Sequence, residues 1–179
     1  MHFPFNVSAN QKPIIGDKDY IFACEKVFFP IIREFKPDLM IISAGFDSAL
    51  GDPLGGIGVT PTGYAYMTWG LRSLCPKTAV ILEGGYDLEA LERSSEAVVR
   101  TLLVNPSDGD GFNKLLAELS GTEGLTQSQL ETQALVDVRE SFKQAASNVA
   151  KAHKKTWPML NHLICQKVRS RLKMDPFSR

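Results

Sequence analysis

The sequence predicts an α/β fold: a parallel sheet with flanking helices, followed by a helical C-terminal extension. Three observations carry that expectation. Two short apolar runs, Leu39–Ser43 and Thr78–Leu82, are each followed by glycine and then by a residue able to do chemistry. Helix-period patterns precede, separate and follow those runs, which suits right-handed crossovers between parallel strands. Beyond the turn-rich stretch Asn105–Gly111, every periodic segment is helical.

The elements follow in order. Residues 2–7 read as a short strand or an extended lead-in. Asp17 is placed to cap a helix in which Tyr20, Cys24, Val27, Phe28, Ile31, Ile32 and Phe35 recur at helical spacing. Pro30 lies inside this pattern and should kink the helix near Lys26. Pro37 blocks continuation, and the unbroken apolar run Leu39–Ser43 reads as a strand covered on both faces. Residues 48–59 form a loop rich in Gly and Pro. Thr60 caps the next helix with Pro61 at its first position; Tyr64, Met67, Leu71 and Leu74 form its apolar stripe. Pro76 ends that helix before the second strand, Thr78–Leu82. Asp87 caps a further helix predicted to turn Leu88, Leu91, Ala97, Val98, Leu102 and Leu103 inward. Leu115, Leu116 and Leu119 mark a short helix, and Leu130 to Val149 one long helix. Trp157-Pro158 breaks it before a last, basic helix over Leu160–Leu172. Two or three strands do not make a covered parallel sheet, so the sheet is expected to be incomplete.

The 179 residues are 44% apolar and 22% charged, as in ordinary globular domains. Twenty basic residues balance twenty acidic ones, so no net field favours nucleic acid or an anionic membrane, and neither is an expected partner. The three cysteines form no C-x-x-C pair and suggest neither a zinc knuckle nor a disulfide framework; a reducing intracellular compartment fits them best. Between Lys151 and Arg179 eight Lys or Arg face one acidic residue, Asp175, which reads as a solvated helix face or as a patch for an acidic or nucleic-acid partner.

In an open parallel sheet, ligands bind past the carboxyl ends of the strands. Asp47 and Tyr86 therefore are expected to share one crevice. A carboxylate leaving a buried strand must meet a metal, an Arg or a helix N-terminus; metal ligation and loop capping both stay open for Asp47. Tyr86 either donates to a developing oxyanion or packs over a tight strand-to-helix turn. Gly84 and Gly85 let the backbone turn sharply and approach a ligand. Gly55-Gly56-Ile57-Gly58 is no phosphate loop, since it lacks the G-x-G-x-x-G order and a following Lys-Ser or Lys-Thr. His2, His153 and His162 have no partner at ligand spacing, and no Ser-His-Asp or Cys-His arrangement is legible.

Ser43-Ala44-Gly45-Phe46-Asp47-Ser48-Ala49, Gly51-Asp52-Pro53-Leu54-Gly55-Gly56, Val59-Thr60-Pro61-x-Gly63-Tyr64-Ala65 and Leu82-Glu83-Gly84-Gly85-Tyr86 together closely resemble the class II zinc-dependent histone deacetylases. The similarity is nearest to the subgroup containing the tubulin-deacetylating cytoplasmic enzymes. Gly16-Asp17-x-Asp19-Tyr20, Phe29-Pro30-Ile31-Ile32-x-Glu34-Phe35 and Ala152-His153-Lys154-Lys155-Thr156-Trp157 support it. The resemblance implies an arginase-like α/β fold with zinc at the strand ends and a narrow channel for acetyl-lysine. It implies Asp47 as a zinc ligand and Tyr86 as the donor to the acetyl carbonyl and then to the oxyanion. Gly84 and Gly85 would shape the channel wall. Leu54 stands where polyamine-selective relatives carry a glutamate, which favours an acetyl-lysine side chain in a peptide.

On the same resemblance, residues 1–104 are expected to form the C-terminal part of the catalytic domain and 105–125 a linker with a short helix. Residues 126–179 would be C-terminal helices that partly close the domain. The family's His-His pair and Asp-x-His zinc ligands find no match, so Asp47 is the one recognisable Zn2+ ligand and the chain alone is expected to be an inactive fragment. Expected partners are acetylated lysines of histone tails or other proteins, with co-repressor binding or self-association, in nucleus or cytoplasm. The competing expectation is a non-catalytic interaction module derived from such a domain.

Overall fold

The computed structural model describes residues 15–121, 126–161 and 163. The lead-in expected at residues 2–7 and most of the basic helix expected over Leu160–Leu172 lie outside them. Helix α1 (Asp17–Ala23) runs through a π-helical turn (Cys24–Phe28) into α2 (Phe29–Phe35). Gly16, not Asp17, occupies the N-cap, and the Asp19 carboxylate accepts the Gly16 N–H at 3.2 Å. Asp17 is engaged elsewhere: its carboxylate accepts the Thr60 N–H at 2.7 Å and the Thr60 hydroxyl at 2.6 Å. The kink expected near Lys26 takes the form of the π turn. The Phe29 N–H bonds the carbonyl of Cys24, five residues back, and this wider ladder accommodates Pro30, which has no N–H to give.

Strands β1 (Met40–Ala44) and β2 (Thr78–Leu82) pair in parallel, with Met40 opposite Thr78 and Ala44 opposite Leu82. Helix α3 (Pro61–Leu74) connects them and α4 (Leu88–Leu103) follows β2. Thr60 caps α3 through its hydroxyl, and Asp87 caps α4 by accepting the Ala90 N–H at 2.8 Å. Side chains alternate along each strand. Ala44 and Val80 join a core with Phe46, Tyr64 and Val98, whereas Ile41 and Ile81 lie exposed on the opposite face. The first strand was expected to be covered on both faces; among the described residues only one face is covered. Helix α4 buries Ala97 and Val98 as expected and packs Leu91 and Leu102 on the same core, but departs from expectation at its ends. It packs through Ala90, Ser94, Ala97, Val98 and Thr101, while Leu88 and Leu103 at its ends are 82% and 81% exposed. Small residues bring α4 close to α3, and the terminal leucines fall beyond that contact.

The C-terminal half is helical. Helix α5 (Gly109–Ser120) starts within the stretch expected as linker, because the Asp108 carboxylate caps it by accepting the Gly111 N–H at 2.9 Å. The single long helix expected from Leu130 to Val149 is two, α6 (Gln127–Asp137) and α7 (Glu140–His153), separated by extended Val138 and Arg139. At the break Val138 is buried in the core and the Arg139 guanidinium lies 3.8 Å from the buried Asp19 carboxylate. Trp69 of α3 stacks on Phe112 of α5 with centroids 4.3 Å apart. Phe142, Ala146 and Ala150 of α7 pack with Phe22, Val27 and Leu160 in a second core.

Candidate active site

Beyond their last residues the two strands stay zipped. The Glu83 N–H donates to Ala44 O at 3.1 Å and the Phe46 N–H to Gly84 O at 2.8 Å, so the two exits run side by side. Phe46 is buried against Tyr64, ring centroids 5.0 Å apart, which anchors the first exit and leaves Asp47 half-buried beyond it. Gly85 has φ +131°, and a Cβ there would stand 3.0 Å from the Phe46 Cβ and 3.1 Å from Leu91 Cδ1. Both the left-handed backbone and the packing require glycine.

Gly84 shows what the two exits bring together. A Cβ on it would lie 3.6 Å from the Tyr86 hydroxyl oxygen and 3.8 Å from the Asp47 carboxyl carbon. The phenol and the carboxylate therefore flank one small space that the absent side chain leaves free. Tyr86 is 62% exposed, which rules out the packed tyrosine over a tight turn. Leu54 is 67% exposed on the loop after β1. That loop presses on the first exit at Gly55, where a Cβ would fall 1.6 Å from Asp47 O.

The loop-capping role open to Asp47 belongs to Asp52. One Asp52 oxygen accepts the N–H of Leu54 at 2.8 Å and of Gly55 at 3.2 Å, and the other accepts the N–H of Tyr86 at 2.6 Å. Burial pushes the Asp52 pKa up, but N–H donors from Tyr86, Leu54, Gly55 and Asp87 outweigh it and hold the group below the ordinary carboxylate value. Sequence reasoning gave Asp52 no role. The signal was there: an Asp before Pro and Gly, bonding the N–H two residues on, is an Asx turn.

The Asp47 carboxylate, by contrast, makes no hydrogen bond or ion pair within the described residues. Beneath it the Tyr20 hydroxyl and the Ser48 hydroxyl are 3.0 Å apart. Burial, then the Asp47 charge, pushes the Tyr20 phenol up against the opposing Ser48 bond. A partly open space of about 180 Å3 is lined in part by Tyr20, Ser48 and Tyr64. The Tyr64 hydroxyl is buried with no hydrogen-bond partner among the described residues. No group of three His, Cys, Asp or Glu that could hold a metal gathers among those residues. Asp47 therefore forms no closed metal shell among them, since zinc takes three or four protein groups. His153 is exposed at the end of α7; His2 and His162 lie outside the described residues.

The family model for the histone deacetylase domain matches residues 1–102, more than half of the chain. The chain belongs to the histone deacetylase family. Histone deacetylase 15 of Arabidopsis thaliana is 57% identical over 90 residues, 50% of this chain and 16% of that relative. Histone deacetylase HDA1 of Saccharomyces cerevisiae is 50% identical over 95 residues, and the polyamine deacetylase HDAC10 of Mus musculus 42% identical over 106. Those matches cover 52% and 59% of this chain but only 14% and 16% of the relatives. In three dimensions the chain is similar to the crystal structure of the HDA15 HD domain, with a TM-score of 0.58 and 38% identity, over 85% of this chain and 35% of that one. An α/β core with a small parallel sheet and several helices is consistent with part of a deacetylase fold. Asp47, Leu54, Gly84, Gly85 and Tyr86 all fall within the family match.

Proposed function

We propose that this chain supplies one wall of a zinc-dependent, class II-type protein lysine deacetylase site, on an arginase-like fold. The observation that carries this reading is the convergence of the Asp47 carboxylate and the Tyr86 phenol on the space over Gly84. Asp47 would hold Zn2+ as one of its ligands; when bound, the ion supplies Lewis-acid polarisation of an acetyl carbonyl and a more acidic water. Tyr86 donates its hydroxyl to the acetyl oxygen, a bond that strengthens as that oxygen gains charge. Gly84 leaves room for the acetyl group between the two side chains, and Gly85 with Gly84 forms the channel wall. Leu54 sets an apolar lip without a carboxylate, which suits a neutral acetyl-lysine side chain on a histone tail or other protein better than a cationic polyamine.

Residues 1–104 carry this wall, 105–125 connect, and the helices of 126–179 close against it. With one zinc ligand recognised, the chain depends on a complementary segment for turnover, and it acts in nucleus or cytoplasm where acetylated proteins occur. The exposed Ile41 and Ile81 favour a second reading, a non-catalytic module that binds a co-repressor or another copy through the open sheet face.

The test is hydrolysis of an acetyl-lysine peptide by the zinc-loaded full chain, alone and mixed with the stretch of the HDA15 HD domain that this chain does not match. The expected result is no turnover alone, and turnover on mixing that Tyr86→Phe lowers about 10²–10³-fold. Turnover indifferent to both Tyr86→Phe and Asp47→Ala refutes the assignment, and no turnover in any mixture favours the module.

A further inference from the structure

Resting on the deacetylase reading, we propose that Asp52 is a positioning residue: its one carboxylate ties the loop bearing Leu54 to the loop bearing Tyr86 and so sets the width of the acetyl-lysine channel. Leu54 and Tyr86 are 67% and 62% exposed, so packing fixes neither side chain. What fixes them is the backbone, and in both cases the backbone N–H is held by Asp52, which is itself only 6% exposed. Its two oxygens divide the work. Oδ1 takes Leu54 and Gly55 on its own loop, and Oδ2 reaches across to Tyr86, thirty-four residues on, at 2.6 Å. The Asp52 N–H in turn donates to Ala49 O at 3.1 Å, which seats the carboxylate on the turn that follows Asp47. A charged acceptor suits such a cluster of donors. Asparagine does not replace it, because its NH2 would confront an N–H instead of accepting from it.

Two measurements on the full chain test this. Asp52→Asn is expected to speed amide exchange at Leu54, Gly55 and Tyr86 about ten- to a hundredfold while leaving Ile42 and Val80 in the strands unchanged. Unchanged exchange at Tyr86 overturns the clamp, whatever the chain catalyses. In the mixture described above, Asp52→Asn should lower kcat about tenfold or more with little change in KM, and should add nothing to Tyr86→Phe in the double variant. Full additivity overturns the positioning role, since Asp52 would then not act through Tyr86. Should Asp52→Asn not fold, Asp52→Glu keeps the charge on a longer arm and must shift the same three amides. Absence of wild-type turnover sinks the deacetylase reading and the channel role together, while the exchange result still decides the clamp.

Discussion

Replacing Gly55 by alanine is the sharpest probe of how the loop after β1 holds Asp47. The added methyl would stand 1.6 Å from Asp47 O, 2.7 Å from its carbonyl carbon and 3.4 Å from Ser48 N. All three are backbone atoms, so no side-chain rotation relieves the clash. Carbon and carbonyl oxygen need about 3.3 Å, so the two segments must part by roughly 1.5 Å or more. Overpacking of this kind costs about 1–3 kcal/mol. Parting the segments also strains the bond from the Gly55 N–H to Asp52, worth about 1 kcal/mol more. The expected loss is therefore about 2–4 kcal/mol, read as a lower urea midpoint at unchanged m by the fluorescence of Trp69 and Trp157. Gly109 at the start of α5 is the control: a Cβ there meets nothing within 4 Å, and Gly109→Ala should stabilise by about 0.4–1 kcal/mol through the unfolded chain. A Gly55→Ala midpoint within about 0.5 kcal/mol of the parent refutes the close fit of this loop on Asp47.

Tyr64→Phe should stabilise the chain by about 1 kcal/mol, because it keeps the ring against Phe46 and removes a buried hydroxyl with no partner among the described residues; urea unfolding that finds the variant less stable shows instead that the hydroxyl is satisfied. The acid limb of the stability curve tests Asp52. Its folded pKa lies below the ordinary 3.8, so its contribution is present above that value and is lost as pH falls through the depressed one. The stability deficit of Asp52→Asn should therefore shrink as pH drops below about 4, and a deficit constant with pH refutes the charge-assisted clamp. Asp17, pushed up by burial against its two Thr60 bonds, acts in the opposite sense, so the difference between variant and parent is the quantity to follow.

What the sequence made legible is what local chemistry decides. Thr60 and Asp87 precede helices as hydroxyl and carboxylate caps, and they cap them. The apolar runs before Gly45 and Gly84 form strands, and the rule for parallel-strand ends places Asp47 and Tyr86 together without testing their roles. What escaped was set by contacts distant in the chain. Nothing in Val138-Arg139 signals a break, because no Gly or Pro is there; their partners, Asp19 for Arg139 and the core around Phe22 for Val138, lie far back in the chain. Leu88 and Leu103 fit an apolar stripe, yet the small residues Ala90 and Ser94 share the contact with the expected Ala97 and Val98. Asp52 reads as a loop residue until its second oxygen is seen to reach Tyr86.

The aspartates separate into those whose carboxylates hold the backbone in shape and one whose carboxylate does not. The carboxylates of Asp17, Asp19, Asp52, Asp87 and Asp108 each accept a backbone N–H at a turn or helix start, where the donor would otherwise be orphaned. Asp47 sits at the same kind of place and does none of this within the described residues. Its backbone is nevertheless tightly held, by the buried Phe46 before it and by the close approach of Gly55. Tyr86 is arranged in the same way, with an anchored N–H and an exposed phenol. A fixed backbone under an uncommitted head group is how a site is preorganised for something outside the chain. It also explains why the two residues sit among glycines. Gly84 keeps the space between them open, and Gly85 turns the chain so that the phenol faces the carboxylate and not the core.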